Sequence, residues 1–147
     1  MDRRAFVAWL AAIVAAPPAL AQGKRKAILY KNPQCGCCED YADYLRGRGY
    51  KVDVIPTHDL DAIRAKHGVP DSLGGCHTTL LDGYVVEGHV PAGAIERLLR
   101  ERPRIRGISL PGMPQGSPGM TGRKTEPFTI YEIGAQAAGK PRVYAVE

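Results

Sequence analysis

From residue 27 onward, apolar positions fall in short groups with strand or helix spacing. Ala27-Ile28-Leu29-Tyr30, bounded by Lys26 and Lys31, predicts a strand, and Asn32-Pro33 a turn after it. Residues 37–48 predict a helix with Tyr41, Tyr44 and Leu45 on one face and Gly47 and Gly49 at its end. Lys51-Val52-Asp53-Val54-Ile55 alternates and then meets Pro56, a second strand. Thr57 or Asp59 can cap a helix that carries Leu60, Ile63 and His67 and closes at Gly68 and Pro70. Thr78-Thr79-Leu80-Leu81 and Tyr84-Val85-Val86 flank Asp82-Gly83, a strong two-residue hairpin signal. Pro91 opens a third helix whose apolar face is Ile95, Leu98 and Leu99, and Pro103 stops it.

A strand, a helix and a strand joined by short connections predict a parallel pair with a helical crossover. With the second helix, the hairpin and the third helix, the order is β-α-β-α-β-β-α, an α/β arrangement and the order of the thioredoxin-like fold. In that fold the redox cysteines stand between the first strand and the first helix. Residues 103–127 hold five Pro and five Gly and read as one long loop, Gly/Pro/Met-rich, with Leu110, Met113 and Met120 as its apolar members. Residues 128–133 and 142–146 then alternate as strands around a turn at 134–141, a C-terminal β-hairpin.

Composition adds three things. The chain of 147 residues is one domain's worth, and its 44% hydrophobic and 24% charged residues exclude a disordered tail, a coiled coil and a multi-span membrane protein. Residues 1–21 read as a secretory signal peptide: Arg3-Arg4, an apolar run over residues 5–16, Pro17-Pro18, and a small-residue ending at Ala19 and Ala21. The run is shorter than the roughly 20 residues a bilayer span needs. The paired arginines fit either a twin-arginine signal or the basic start of a Sec signal. The expected organisation is a leader over 1–21 and one domain over 22–147, with no membrane span after cleavage. Loss of Asp2, Arg3 and Arg4 lowers the net charge of +5 by one. The basic residues that remain are scattered, without interleaved aromatics, so nucleic acid is not an expected partner.

Four cysteines are too few for a disulfide-stapled scaffold, and three crowd into Cys35-Gly36-Cys37-Cys38. Cys35 and Cys38 have the spacing of a redox dithiol and are the candidate catalytic pair. A helix N-terminus stabilises thiolates there, as nucleophiles or as metal ligands. Cys37 is an extra thiol for which dithiol exchange has no use, and a disulfide between the neighbours Cys37 and Cys38 would be strained. Three thiolates around one point suit a soft ion such as Cu(I), which takes thiolates and thioethers. A zinc or iron–sulfur site, with Cys76 as fourth ligand, is formally available. If Asp82-Gly83 is the turn, Cys76 faces His89 across the hairpin unless Gly88 forms a bulge. Thiol and imidazole would then lie about 5 Å apart at Cβ and could share an ion. His77 is a further candidate, and Met113 and Met120 offer thioethers from the loop. His58 and His67, on a helix cap and a helix, read as surface residues. Thioredoxin-like oxidoreductases place a proline just before the third strand, where this chain has Cys76-His77-Thr78, which counts against plain dithiol exchange.

These residues together resemble a known family, the CopG-type copper-resistance proteins of the Gram-negative periplasm. The likeness is carried by Cys35-Gly36-Cys37-Cys38, Gly68-Val69-Pro70, Cys76-His77-Thr78, Glu87-Gly88-His89-Val90-Pro91-Ala92, residues 110–114 and residues 116–120, and it spans about 27–133. Tyr41 departs from the tryptophan expected there. The resemblance implies a periplasmic location, a thioredoxin-like fold, and Cu(I) held by Cys35, Cys37, Cys38 and Cys76 as a multinuclear thiolate-bridged cluster. It also implies a redox role interconverting Cu(I) and Cu(II), with other copper-resistance proteins or a redox protein as partners. The reading is a copper-binding protein and copper oxidoreductase in copper resistance. Beside it stand copper sequestration or delivery without redox turnover, and thiol–disulfide exchange by Cys35 and Cys38.

Overall fold

The short apolar groups become the strands of one mixed sheet. In the computed structural model the described residues are 25–134 and 139–147. The leader read over 1–21 lies outside them, as does the middle of the turn expected over 134–141. In chain order the elements are β1 (Lys26–Lys31), α1 (Gly36–Gly47), β2 (Lys51–Pro56), α2 (Leu60–His67), a single 3-10 turn (Asp71–Leu73), β3 (His77–Leu81), β4 (Tyr84–Gly88), α3 (Ala92–Glu101), β5 (Gly107–Leu110), β6 (Thr129–Ile133) and β7 (Val143–Val146). Seven strands lie in the order β2-β1-β3-β4-β5-β6-β7. The pairs β1–β2 and β4–β5 are parallel, each with a helix between its strands, and the rest are antiparallel.

Local chemistry sets the boundaries. The Asp59 carboxylate accepts a hydrogen bond from the Ala62 amide at the start of α2, and Gly68 ends that helix in the left-handed conformation. Asp82 and Gly83 both take positive φ, 51° and 86°, which gives the β3–β4 turn the twist its strands need. The register then follows, with Leu81 opposite Tyr84 and Thr78 opposite Glu87. Pro91 stands one position earlier than expected, as the N-cap of α3.

The sheet separates two apolar clusters. On one face Leu29, Val86, Ile108 and Ile130 pack with Tyr41 and Leu45 of α1 and Ile95 and Leu98 of α3, all fully buried. The smaller cluster on the other face is Val69, Leu73, Val85 and Ile133. The second helix is unlike the others: the face expected from Leu60, Ile63 and His67 is not buried, and α2 contains no buried residue. It is held instead by a charged side chain, described below.

The long loop expected over 103–127 needs correction. Its first part contains β5, four buried residues inserted between β4 and β6. A strand this short, buried on both faces and enclosed by Gly107 and Pro111, shows no alternation to distinguish it from loop. The irregular segment begins after Leu110 and runs to β6. The C-terminal pair β6–β7 is antiparallel, with a register shift between Ile130 and Tyr131.

Candidate metal centre

The segment between β1 and α1 is a tight turn. Cys35 N–H donates to the Asn32 carbonyl (3.0 Å), and the Gln34 amide donates to the Asn32 side chain (3.0 Å). The turn delivers Cys35 as the N-cap of α1, with no side-chain cap on the helix. Amides of the first turn are therefore left without a capping side chain. Lys31, almost fully buried at the end of β1, reaches Glu39 in that first turn (3.0 Å) and fixes helix to strand. Cys35 and Cys38 form a disulfide, with Cα atoms 5.6 Å apart. Cys37 is free, 3.4 Å from the sulfur of Cys35 and 3.9 Å from that of Cys76. The four cysteine sulfurs lie within 4.8 Å of one another.

A second donor group shares Cys76. Its sulfur is 3.0 Å from His89 Nε2 and 3.3 Å from His77 Nδ1, and the three donor atoms are again within 4.8 Å. In a regular strand the neighbours Cys76 and His77 would point to opposite faces. They converge because the chain leaves the regular ladder at this end of the hairpin. Gly88, at φ 76°, turns the backbone before His89 in a conformation that side chains rarely adopt.

Burial keeps the imidazoles neutral. His77 and His89 have no exposed surface. Burial, reinforced by His89 beside it, pushes His77 down to about 3, and burial lowers His89 as well. The His89 tautomer is fixed by its surroundings: Nδ1 lies 2.6 Å from the Pro118 carbonyl, which can only accept. Nδ1 therefore carries the proton, and the Nε2 lone pair faces Cys76. His77 Nε2 is buried without a partner among the described residues. The Cys76 thiol is pushed up to about 12, first by burial and then by Cys37. This is opposite to the effect expected at the helix start, because Cys76 lies on the hairpin and not at an N-terminus. An ion bound there would have to displace the thiol proton itself.

Three features close the site. The Tyr41 ring stands 4.5 Å from His77 and 5.4 Å from His89, centroid to centroid, and its hydroxyl donates to the Val90 carbonyl (2.7 Å). The loop segment Ser117–Met120 lies over both His89 and α1. A Cβ on Gly119 would come within 2.7 Å of the Tyr41 nitrogen, so only glycine fits there. Behind Cys76, fully buried Glu87 accepts from Arg64 Nε (2.8 Å), the Gly75 amide (2.8 Å) and Thr78 Oγ1 (2.6 Å). Arg64 also donates to the Gly75 carbonyl. The residue before Cys76 is thus bound through both its backbone groups.

The structure brings together six of the predicted residues: Cys35, Cys37, Cys38, Cys76, His77 and His89. The thioethers differ from them. Met113 is 54% exposed, while Met120 is half-buried, next to Gly119. The loop's hydrogen bond to the site comes from its backbone, the Pro118 carbonyl. His58 is exposed and His67, the last residue of α2, is half-buried, and neither belongs to either donor group. Sequence reasoning missed Arg64, Glu87 and the Pro118 carbonyl. The Thr78–Glu87 register was a usable signal, since a carboxylate between Val86 and Gly88 on an inner strand needs a cation.

Known proteins resemble the chain in the site and well beyond it. The family described as "Protein of unknown function, DUF411" matches residues 73–120. No curated protein matches. Two solved structures are similar. "Copper resistance protein copG, Form 2" shares 38% identity with a TM-score of 0.75, over 84% of this chain and 98% of its own. "Copper resistance protein copG, Form 1" also shares 38% identity, with a TM-score of 0.74, over 83% of this chain and 96% of its own.

Proposed function

The chain belongs to the family of copper resistance protein CopG, and from that membership we propose that it is an exported periplasmic protein that binds Cu(I) and cycles copper between Cu(I) and Cu(II). The observation that carries this reading is the sharing of Cys76 by two donor groups, one of four sulfurs and one of a sulfur with two imidazoles. A soft ion is served by the first, and the nitrogens add harder donors that also suit Cu(II). Neutral imidazoles, one with a fixed tautomer, are the form that ligates. The proposed ligands are Cys35, Cys37, Cys38 and Cys76, with His89 and His77, and more than one ion per chain. Met120, beside the loop's contact with α1, is the better placed thioether and Met113 the worse.

A thioredoxin-like frame is part of the reading. It is supported by the β2-β1-β3-β4 order, the parallel β1–β2 pair and the cysteines at the start of α1. Export rests on the leader read over 1–21 and agrees with a disulfide among the cysteines. Among the described residues no helix is long and apolar enough to cross a membrane. The expected partners are copper ions, other copper-resistance proteins and a redox protein.

Anaerobic Cu(I) titration of the reduced protein against a competing chelator tests the binding. More than one tightly held Cu(I) per chain is expected, with a fall of at least tenfold in affinity for Cys76→Ser. Retention of zinc in preference to Cu(I) would overturn the reading. Thiol–disulfide exchange is a second reading, favoured by the Cys35–Cys38 disulfide. It requires that Cys76→Ser leave insulin reduction intact and that copper have no effect on it.

A further inference from the structure

Two of the four sulfurs that could hold a metal are bonded to each other. The same atoms are thus ligands in one state and a spent electron pair in another. The other two are outside the bond. Cys37 and Cys76 remain free thiols 3.9 Å apart, and Cys76 keeps His89 at 3.0 Å and His77 at 3.3 Å. Oxidation therefore leaves a smaller donor set of two thiols and two imidazoles.

The pairing is selective for structural reasons. Cys35, the N-cap of α1, and Cys38, in its first turn, are three positions apart, with a Cα separation of 5.6 Å, inside the usual range for a disulfide. Cys37 and Cys38 are adjacent and poorly suited to one. Cys76 belongs to a different element, held by the Glu87 and Arg64 contacts at Gly75.

Resting on the copper reading above, we propose that the Cys35–Cys38 dithiol is the electron source with which this chain reduces Cu(II) to Cu(I). The two thiols release two protons and two electrons, and one Sγ–Sγ bond forms. Two Cu(II) ions accept one electron each and become two Cu(I). Cys37, Cys76, His77 and His89 are the donors that stay to receive the product. Resetting requires a dithiol reductant. Its first thiolate attacks Cys35, which is half-buried, and Cys38, which is fully buried, leaves. The reductant's own two thiols end as a disulfide, and Cys35 and Cys38 regain their hydrogens.

The test uses the mature full-length protein, reduced, freed of reductant and kept anaerobic, with Cu(II) added as its glycine chelate. Three quantities are read: remaining thiols, Cu(I) captured by bicinchoninate, and the disulfide located by peptide mass mapping. The expected result is two Cu(I) and two thiols lost per chain, with the bond mapped to Cys35 and Cys38. Cys35→Ser, and independently Cys38→Ser, should lower the initial rate of Cu(I) formation at least tenfold. Cu(I) formed with all four thiols intact, a disulfide mapped mainly to Cys37 or Cys76, or wild-type rates in both variants would overturn the proposal. A parallel Cu(I) titration separates the two readings. Protein that binds Cu(I) but forms no disulfide with Cu(II) defeats only this inference, while protein that binds no Cu(I) defeats the copper reading itself.

Discussion

The thiol half and the imidazole half of the donor cluster are built to different tolerances. Cys35 and Cys37 are half-buried on a turn at the start of a helix, and their fixed support is the Lys31–Glu39 pair, whose carboxylate is half exposed. His77 and His89 are completely buried on the central hairpin, walled by Tyr41, roofed by Pro118 and backed by a carboxylate that accepts three hydrogen bonds. The first half is the more accessible and carries the disulfide. Position belongs to the second, whose side chains are held by burial and hydrogen bonds. Cys76 belongs to both, which is why its neighbour Gly75 is held by its amide and its carbonyl.

The largest test of this contrast removes the cation behind the rigid half. Arg64→Met leaves Glu87 buried and unpaired and should cost about 3–5 kcal/mol in urea denaturation. A cost under about 1 kcal/mol would mean that the hairpin end does not depend on the clamp. On the thiol side, reducing the Cys35–Cys38 bond releases only a very short loop. Stability should fall by about 2 kcal/mol in the chain-entropy picture, less than for Arg64→Met, and circular dichroism should keep its folded shape. If the order of the two effects reverses, so does the contrast.

A smaller effect comes from pH. The folded-state value of His77 is pushed down to about 3, so below about 6.5 the unfolded chain takes up the proton first. The stability this supplies is full above about 6.5 and is lost as pH falls toward 3, by roughly 1 kcal/mol at pH 5.5. Metal-free His77→Gln should show a flatter melting-temperature profile over that range; an unchanged slope would dismiss His77 as its cause. The smallest effect concerns the loop. Met113→Leu should change Cu(I) affinity less than about twofold, and Met120→Leu should change it more. The opposite ranking would move the thioether contribution to the exposed end of the loop.

Much of this was legible from the chain. Asp82-Gly83 set the hairpin register as far as Thr78 and Glu87, and Cys76 and His89 meet just beyond it, where Gly88 breaks the regular ladder that the sequence reading extended to them. The elements around the cysteines were readable because turn residues and short apolar groups marked their ends. What could not be read depended on contacts far apart in sequence. Arg64 looks like a surface residue on an amphipathic helix until Glu87 is placed beneath it. The Pro118 carbonyl is a backbone atom and has no signature. The fifth strand lacked alternation because neighbours cover both its faces.

The position of Tyr41 has a spectroscopic consequence. The single tryptophan, Trp9, falls within the proposed leader, so a protein cut after Ala21 would emit through its seven tyrosines alone. Tyr41 is the one whose ring rests on both His77 and His89. Filling the site with copper should therefore dim an intrinsic, label-free ultraviolet signal, and the native chain can report its own occupancy.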